Sequence, residues 1–309
     1  MQCILLGSGG HLPLPERFLT SLAVRLEGSL YLFDAGECTQ IAFRKVKLAT
    51  KPLKVLAVSH LHGDHCLGIP GLLMLRSQVP EPGPLTIIGP PGIRIFITGM
   101  LQSVNHKPKF EIFFREWAEG SETAWEDEYL RIRWLPLKHR TFCLGYRLEE
   151  HPGPGKFNSG AAEKLRVPPG PLRAALQRGE SVIAADGSKV LPSQVLGPRR
   201  PGRIVAYATD TTRCKNLYHL CNGAHMAFIE GTFHPDESTE AERTTHMTAS
   251  EAARIAGRAG ALRTVIIHLS PRYRGESDLE RLGRAAADVN DTAEIGIDST
   301  VYHIPVPNG

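Results

Sequence analysis

The stretch LKVLAVSHLHGDHCLGIPG, residues 53–71, places three histidines and an aspartate within six residues, directly after an apolar run. Imidazole and carboxylate side chains are poor material for a hydrophobic core, so this cluster needs another role. His60 and His62 are two residues apart, which puts both on one side of an extended segment. The glycine after His62 permits a sharp turn that returns Asp64 and His65 to the same point. Since imidazole and carboxylate are ordinary zinc ligands, the stretch predicts a metal site at the end of a strand.

Three further candidate ligands follow predicted strands later in the chain. His139 comes after the alternating run LRIRWLPLK, Asp210 after RIVAYAT and His268 after RTVII. Because α/β proteins gather their sites at the carboxyl ends of strands, we expect these three residues to join the first four. Five imidazoles and two carboxylates would hold two divalent ions, with one carboxylate able to bridge them. Nitrogen and oxygen ligands without a thiolate favour zinc first, with manganese or iron as alternatives.

Bulk composition places the chain among folded proteins of ordinary apolar content. Its 309 residues suffice for one large or two modest domains, and it has no run of about 18 apolar residues that could span a membrane. The beginning, MQCILLGSGG, predicts a first strand and turn rather than a secretion signal. The six cysteines form no CxxC pair, and we expect buried free thiols. These features predict a cytoplasmic protein without a membrane segment.

The remaining pattern predicts many short strands with fewer helices between them, which is typical of a layered α/β fold. Gly28-Ser29, between two apolar runs, predicts a hairpin turn. Helices are predicted for the segments GLLMLRSQ, GIRIFITGMLQSV, TASEAARIAGRAG and SDLERLGRAAADVN. The third of these has a threonine or serine cap and a terminal glycine, which are ordinary helix boundaries.

Residues 151–203 differ from the rest of the chain in composition. They contain eight prolines, eight glycines and a single aromatic residue, Phe157, with nine Lys or Arg against three Asp or Glu. This local excess of positive charge is larger than the net +4 of the whole chain, so the remainder is net negative. Two interpretations are open: a solvated surface insertion, or an arm that contacts a polyanion.

From near Leu6 to about Tyr273 the chain resembles the ribonuclease Z family of the metallo-β-lactamase superfamily. The resemblance rests on LGSGGHLPLPERFLTS, FDAGECTQ and SHLHGDHCLGIPGLL, and on the later motifs KH at 138–139, DT at 210–211 and HLSPRY at 268–273. It implies an α/β fold of the metallo-β-lactamase type, a four-layer αββα sandwich. The whole chain, 1–309, would be one such domain, with an inserted flexible arm at 151–203.

The resemblance implies two zinc ions per subunit. Their ligands would be His60, His62 and His139 for one ion, Asp64, His65 and His268 for the other, and Asp210 as the bridge. Asp64 would also orient or deprotonate the attacking water.

Two more residues acquire implied roles. His246 in HMTASEAA matches the histidine of the family's HST motif, and Glu230 in FIEGTF matches the acid of its HEATF motif. The family roles imply that His246 protonates the leaving 3′-oxygen with help from Glu230, which is sensible because a ribose alkoxide is a poor leaving group. The alternative for His246 is a histidine at a helix start that favours solvent.

The implied activity is zinc-dependent endonucleolytic removal of the 3′ trailer from precursor tRNA, after the discriminator base, by a homodimer. The arm would bind the tRNA body; its candidate contacts are Lys156, Lys164, Arg166, Arg173 and Arg178. Two alternatives are a general phosphodiesterase or 3′ exonuclease on the same dinuclear scaffold, and a non-catalytic tRNA-binding protein that keeps zinc for stability. Departures from the family motifs, namely IEGT, HMT, GEC and the pair Arg17-Phe18, raise the question of how substrate is positioned.

Overall fold

The computed structural model describes residues 1–120 and 124–307. The chain forms two compact units, one comprising Met1–Glu149 and Ile204–Ile304, the other built chiefly from Glu150–Arg203. The main segment of the second unit begins one residue before the compositionally distinct residues 151–203 and ends with them.

The described residues of the first unit form two seven-stranded sheets. The strands of the first sheet are β1 (Gln2–Gly7), β2 (Ser21–Leu26), β3 (Ser29–Phe33), β4 (Leu53–Ala57), β5 (Leu85–Gly89), β6 (Ile112–Glu116) and β16 (Val301–His303). Their order is β16-β1-β2-β3-β4-β5-β6. Strands β3 to β6 run parallel, so their carboxyl ends lie at one edge.

The strands of the second sheet are β7 (Ala124–Glu126), β8 (Leu130–Leu137), β9 (Cys143–Glu150), β12 (Ile204–Ala208), β13 (Met226–Glu230), β14 (Thr264–Ile267) and β15 (Ala293–Ile295). Their order is β15-β14-β13-β12-β9-β8-β7. Strands β12 to β15 run parallel, so these carboxyl ends also share an edge.

Helices cover the outer face of each sheet. The α-helices in the described part of the first unit are α1 (Thr39–Lys45), α2 (Gly63–Cys66), α3 (Ile69–Arg76), α4 (Ile93–Ser103), α7 (Lys215–Cys221), α8 (Ser238–Thr244), α9 (Ala249–Arg258) and α10 (Glu276–Ala287). Apolar residues of α1, α3 and α4 pack on the first sheet, and those of α7, α9 and α10 pack on the second. A third apolar cluster fills the space between the sheets. This is the predicted four-layer αββα sandwich.

The predicted hairpin forms, but its turn lies one residue earlier than expected. Leu26 pairs with Ser29, so the two turn residues are Glu27 and Gly28. Both have positive φ, 46° and 80°, the conformation of the tight turn that matches strand twist. Ser29 is therefore already part of β3.

The predicted helices also form, with shifted boundaries. Helix α3 begins at Ile69, before the predicted GLLMLRSQ, because Pro70 suits the first turn of a helix. In α9 the Thr248 side chain accepts a hydrogen bond from the Glu251 N–H, and the Glu251 carboxylate accepts one from the Thr248 N–H. This reciprocal cap is what the sequence signal predicted.

The second unit has its own small core and secondary structure. Its described elements are α5 (Ser159–Lys164), α6 (Pro171–Gln177), β10 (Val182–Ile183), β11 (Lys189–Val190) and a short 3₁₀ helix at Pro192–Gln194. Ala162, Val167, Leu176, Val182 and Val190 are buried together. The glycine and proline content therefore coexists with a packed unit. Within the described residues, no helix of either unit is long and apolar enough to cross a membrane.

Candidate metal centre

All seven predicted ligands lie together in the first unit, at the ends of four strands. His60 and His62 follow β4, and the next turn, α2, carries Asp64 and His65. The other three each follow a strand of the second sheet: His139 after β8, Asp210 after β12 and His268 after β14. These side chains form two neighbouring groups of potential ligand atoms, and a third group joins Asp210 and His268 to His246.

The first group consists of His60, His62, His139 and Asp210, whose ligand atoms lie within 4.8 Å of one another. His60 Nε2 is 2.9 Å from His62 Nδ1, and His139 Nε2 is 3.4 Å from the same atom. Asp210 Oδ2 lies 3.6 Å from His60 Nε2 and 3.7 Å from His139 Nε2. Three imidazole nitrogens and one carboxylate oxygen thus converge.

The second group consists of Asp64, His65 and His268. Asp64 Oδ2 lies 3.4 Å from His65 Nε2 and 3.3 Å from His268 Nε2. The other oxygen of Asp210, Oδ1, lies 3.1 Å from His65 Nε2 and 3.0 Å from His268 Nε2. Asp210 therefore turns one oxygen to each group, which is the arrangement of a bridging carboxylate.

The hydrogen bonds around His60 and His65 fix which nitrogen of each ring faces inward. The Ser59 hydroxyl donates to Asp34 Oδ2 at 2.8 Å and so can only accept from His60 Nδ1, which is 3.0 Å away. His65 Nδ1 lies 2.8 Å from Asp34 Oδ2 and donates to it. In both rings Nδ1 carries the proton, so Nε2 presents a lone pair to the cluster.

The same pattern repeats at two other histidines. The Thr232 hydroxyl donates to Glu230 Oε2 at 2.8 Å and therefore accepts from His268 Nδ1 at 3.0 Å. The Thr245 hydroxyl donates to the Thr244 carbonyl and accepts from His139 Nδ1 at 3.0 Å. Here too Nε2 is left bare and directed at the cluster.

This donor set fits a divalent cation. His65 Nε2 is buried and has no hydrogen-bond partner in the part of the chain that the structure describes. Burial lowers the pKa of His60 well below its usual value, which favours the neutral form that binds metal. Burial alone would raise the pKa of Asp210, but the surrounding imidazoles hold it well below its usual range. Lone pairs and negative charge gathered in a water-poor site require a cation.

Three residues next to the strand ends have left-handed backbone conformations. Asp34, Asp210 and His268 have φ values of 54°, 39° and 58°. Such conformations are rare outside glycine and are typically kept where function requires a particular side-chain direction.

The opening turn contributes backbone groups that the sequence had not indicated. The His11 N–H donates to Asp64 Oδ2 at 2.7 Å. A Cβ atom on Gly10 would lie 2.5 Å from Cε1 of His268, so only glycine permits this close approach. Two glycines in a row after the first strand were the available sequence signal.

Glu230 and His246 form a pair beside the second group. Glu230 is fully buried at the end of β13, and its Oε1 is 3.0 Å from His246 Nδ1. The His246 ring stacks on His268, with centroids 5.2 Å apart. Burial by itself would lower the pKa of His246, but the Glu230 carboxylate raises it to about 9. The His246 ring is therefore largely buried against Glu230 and His268, rather than facing solvent at a helix start.

None of the described residues that depart from the family motifs supplies a ligand atom to these groups. Ile229 and Met247, the changed neighbours of Glu230 and His246, are buried in the apolar layer between the second sheet and its helices. Cys38 has a φ of 67° ahead of α1, a conformation that glycine adopts more easily. Arg17 is buried and donates to the Tyr273 carbonyl at 2.6 Å, so it holds the opening turn against the loop after His268.

The five predicted arm contacts lie in the second unit. Lys156, Lys164, Arg166 and Arg178 are exposed. Arg173 is not: its guanidinium donates to the Val167 carbonyl at 3.1 Å and lies over the Phe157 ring. Arg173 therefore stabilises the unit itself.

Comparisons with known proteins agree with this architecture. The model of the metallo-beta-lactamase superfamily matches residues 15–81, and that of a beta-lactamase superfamily domain matches residues 161–269. Ribonuclease Z of Treponema denticola is 40% identical over 88% of each chain, and that of Treponema pallidum is 39% identical over 94% of this chain and 93% of its own. The crystal structure of human tRNase Z, short form, superposes with a TM-score of 0.72 at 23% identity, covering 99% of this chain and 100% of that one.

Proposed function

Because this chain belongs to the ribonuclease Z family of the metallo-β-lactamase superfamily, we propose that it is the endoribonuclease that removes the 3′ trailer of precursor tRNA. Water attacks the phosphodiester after the discriminator base, so the tRNA keeps a 3′-hydroxyl and the trailer carries a 5′-phosphate. One observation carries the proposal: in a chain 40% identical to a ribonuclease Z, all seven candidate ligands converge at one site.

The metal assignment follows the two groups. His60, His62 and His139 would hold one zinc ion and Asp64, His65 and His268 would hold the other, with one carboxylate oxygen of Asp210 available to each. Such ions, when bound, would lower the pKa of a shared water to near neutrality and stabilise negative charge on the phosphate. Two ions per chain is the expected result of a metal analysis.

Asp64 positions the attacking water. Its Oδ2 accepts the His11 N–H, which leaves the rest of the carboxylate to orient or deprotonate a water molecule. Its side chain is 12% exposed and so can reach substrate.

His246 protonates the leaving 3′-oxygen. Glu230 keeps the ring charged and fixes its orientation through Nδ1, so the proton for transfer is on Nε2. Donation to a poor leaving group is the step for which such an acid is needed.

The partners follow from exposed surfaces. The cations Lys156, Lys164, Arg166 and Arg178 bind tRNA phosphates, which makes binding weaken with salt. A homodimer is supported by exposed apolar side chains on neighbouring helices, such as Ile41 on α1 and Met74 on α3. Action in the cytoplasm is supported by the free thiols of Cys38, Cys66, Cys143, Cys214 and Cys221.

The test is incubation with an end-labelled precursor tRNA in zinc or manganese, followed by mapping of the cut. A single cut after the discriminator base is expected; a ladder of shortened trailers would indicate a 3′ exonuclease instead. No cleavage by protein with metal bound would overturn the proposal. Asp64→Ala should abolish turnover while tRNA binding persists, which separates a catalytic from a structural aspartate.

A further inference from the structure

A cavity of about 510 Å³ lies beside His62 in the first unit. Its size falls within the roughly 300–1,000 Å³ of pockets that bind small molecules. The walls are mainly apolar and come from Leu61, Pro90, Pro91 and Phe142. The cavity therefore joins the metal centre to an apolar surface that none of the proposed catalytic steps uses.

Each wall is held by the end of a strand. Leu61 follows β4, Pro90 and Pro91 follow β5, and Phe142 lies between β8 and β9. The Phe142 ring is half-buried and packs edge-on against Trp134, with centroids 6.1 Å apart. Because Trp134 fixes the Phe142 ring from one side, the exposed part of the ring is held in a preformed position for stacking.

The chemistry of the lining fits a flat ring with N–H groups and does not fit a phosphate. No lysine or arginine is among the described residues that line the cavity. Glu119 and Thr141 are exposed polar residues of the lining. A carboxylate repels phosphate but accepts hydrogen bonds from the amino and imino groups of a nucleobase.

The position of the cavity indicates which base it would take. It borders His62, whereas the proposed leaving-group acid, His246, is next to His268. His139 neighbours both, its ring centroid being 5.2 Å from that of His62 and 5.3 Å from that of His246. If His246 faces the leaving 3′-oxygen of the tRNA, a nucleotide near His62 lies on the other side of the scissile phosphate.

We propose that this cavity binds the base of the first trailer nucleotide, stacked on Phe142. The inference rests on the proposed function, because it assumes that the cleaved bond is the phosphodiester after the discriminator base. Stacking tolerates any base, since every base has a π face. The cavity would thus hold the trailer in place without demanding a particular trailer sequence.

The test compares precursor tRNAs that lack one base, either at the first trailer position or at the discriminator position. With the wild-type protein, loss of the trailer base should lower kcat/KM roughly 5- to 100-fold, the range of one base stack. In Phe142→Ala, kcat/KM for the intact precursor should fall by a similar factor. Removal of the trailer base should then cause no further decrease in kcat/KM. Removal of the discriminator base should have the same effect in both proteins.

Equal sensitivity of both proteins to the missing trailer base would overturn the inference, as would loss of discriminator-base dependence in Phe142→Ala. The proposed function is judged separately, by whether the wild-type protein cuts the intact precursor at all. Phe113→Ala is the matched control, because it removes an exposed phenyl ring from β6 outside the cavity; it should cleave like the wild type.

Two further measurements guard against misfolding and against an effect on turnover alone. Phe142→Leu keeps apolar volume next to Trp134 but removes the aromatic face. As in Phe142→Ala, removal of the trailer base should cause no further decrease in kcat/KM. In EDTA, where cleavage should stop, 2-aminopurine at the first trailer position should be quenched on binding to the wild type and less so with Phe142→Leu. Quenching only at the discriminator position would assign the cavity to the other side of the bond.

Discussion

Asp34 is a fully buried carboxylate that orients the candidate metal ligand His65 and is not itself one of the candidate ligands. It accepts hydrogen bonds from the Ser59 and Tyr207 hydroxyls, each at 2.8 Å, and from His65 Nδ1. Burial, and then the carboxylate beside it, raises the pKa of the Tyr207 hydroxyl well above its usual value, so the hydroxyl remains a donor. At the residue scale, Asp34 therefore sets both the tautomer and the orientation of His65.

Asp34→Asn should weaken metal binding about 10- to 100-fold, the usual cost of losing such a supporting carboxylate. The measurement is competition with a chromophoric chelator, together with the cleavage rate at saturating metal. Asp127→Asn is the matched control, because Asp127 also accepts a tyrosine hydroxyl, from Tyr31 at 2.6 Å, outside the metal cluster. Wild-type metal affinity in Asp34→Asn would contradict the role of Asp34.

His246→Asn should lower kcat on precursor tRNA roughly 10²- to 10⁴-fold, because the leaving ribose oxygen then lacks its acid. A p-nitrophenyl phosphodiester has a leaving group that needs no proton, so its hydrolysis should fall much less. Both rates are measured with the same metal-loaded protein. Equal loss on the two substrates would mean that His246 supports the site structurally instead.

At the scale of elements, the opening turn is pressed against the metal centre. It supplies the His11 N–H to Asp64, and it reaches there because Gly10 has no side chain. The position of the turn after β1 thus depends on the missing side chain at Gly10 as much as on the His11 hydrogen bond.

Gly10→Ala should reduce cleavage roughly 100-fold, since its methyl group would displace the His268 ring, and a shift of about 1 Å at a reacting site can cost that much. The protein should still fold, as shown by circular dichroism. Gly99→Ala in α4 provides the contrast: its Cβ meets nothing within 4 Å. That variant should keep full activity and gain about 0.5–1 kcal/mol of unfolding free energy. Unchanged activity in Gly10→Ala would exclude the steric role.

At the scale of the whole molecule, the chain combines an αββα sandwich that carries the candidate metal centre with a separately packed basic unit. The two ends of the main segment of the second unit lie next to each other. Gly153 and Arg200 exchange two backbone hydrogen bonds of 3.1 Å. Gly197 N also donates to the Lys156 carbonyl at 3.0 Å. The ends are thus close enough to be joined directly.

Deletion of residues 156–196, joining Gly155 to Gly197, should raise KM for precursor tRNA strongly and leave hydrolysis of a small phosphodiester nearly unchanged. The reason is that backbone phosphates supply most of the affinity for a folded RNA. Changing Lys156, Lys164, Arg166 and Arg178 to serine should reproduce the KM effect and flatten its salt dependence. If the small phosphodiester is lost in parallel, the unit is required for the fold of the site and not for tRNA alone.

The sequence by itself determined the ligand types and their location at strand ends. The ligands in HLHGDH could be recognised from their spacing alone, and His139, Asp210 and His268 could be found because each closely follows a predicted strand. Local periodicity reports where a strand ends, and parallel strands bring such ends to one edge.

Only the tertiary structure decided which nitrogen of each ring faces inward, that Asp34 supports His65, and that a cavity lies beside His62. These features depend on residues distant in sequence, such as Tyr207 with Asp34 or Thr245 with His139. They arise when two sheets pack face to face and their strand ends meet. No single segment encodes that contact, because its geometry comes from the packing of the whole core.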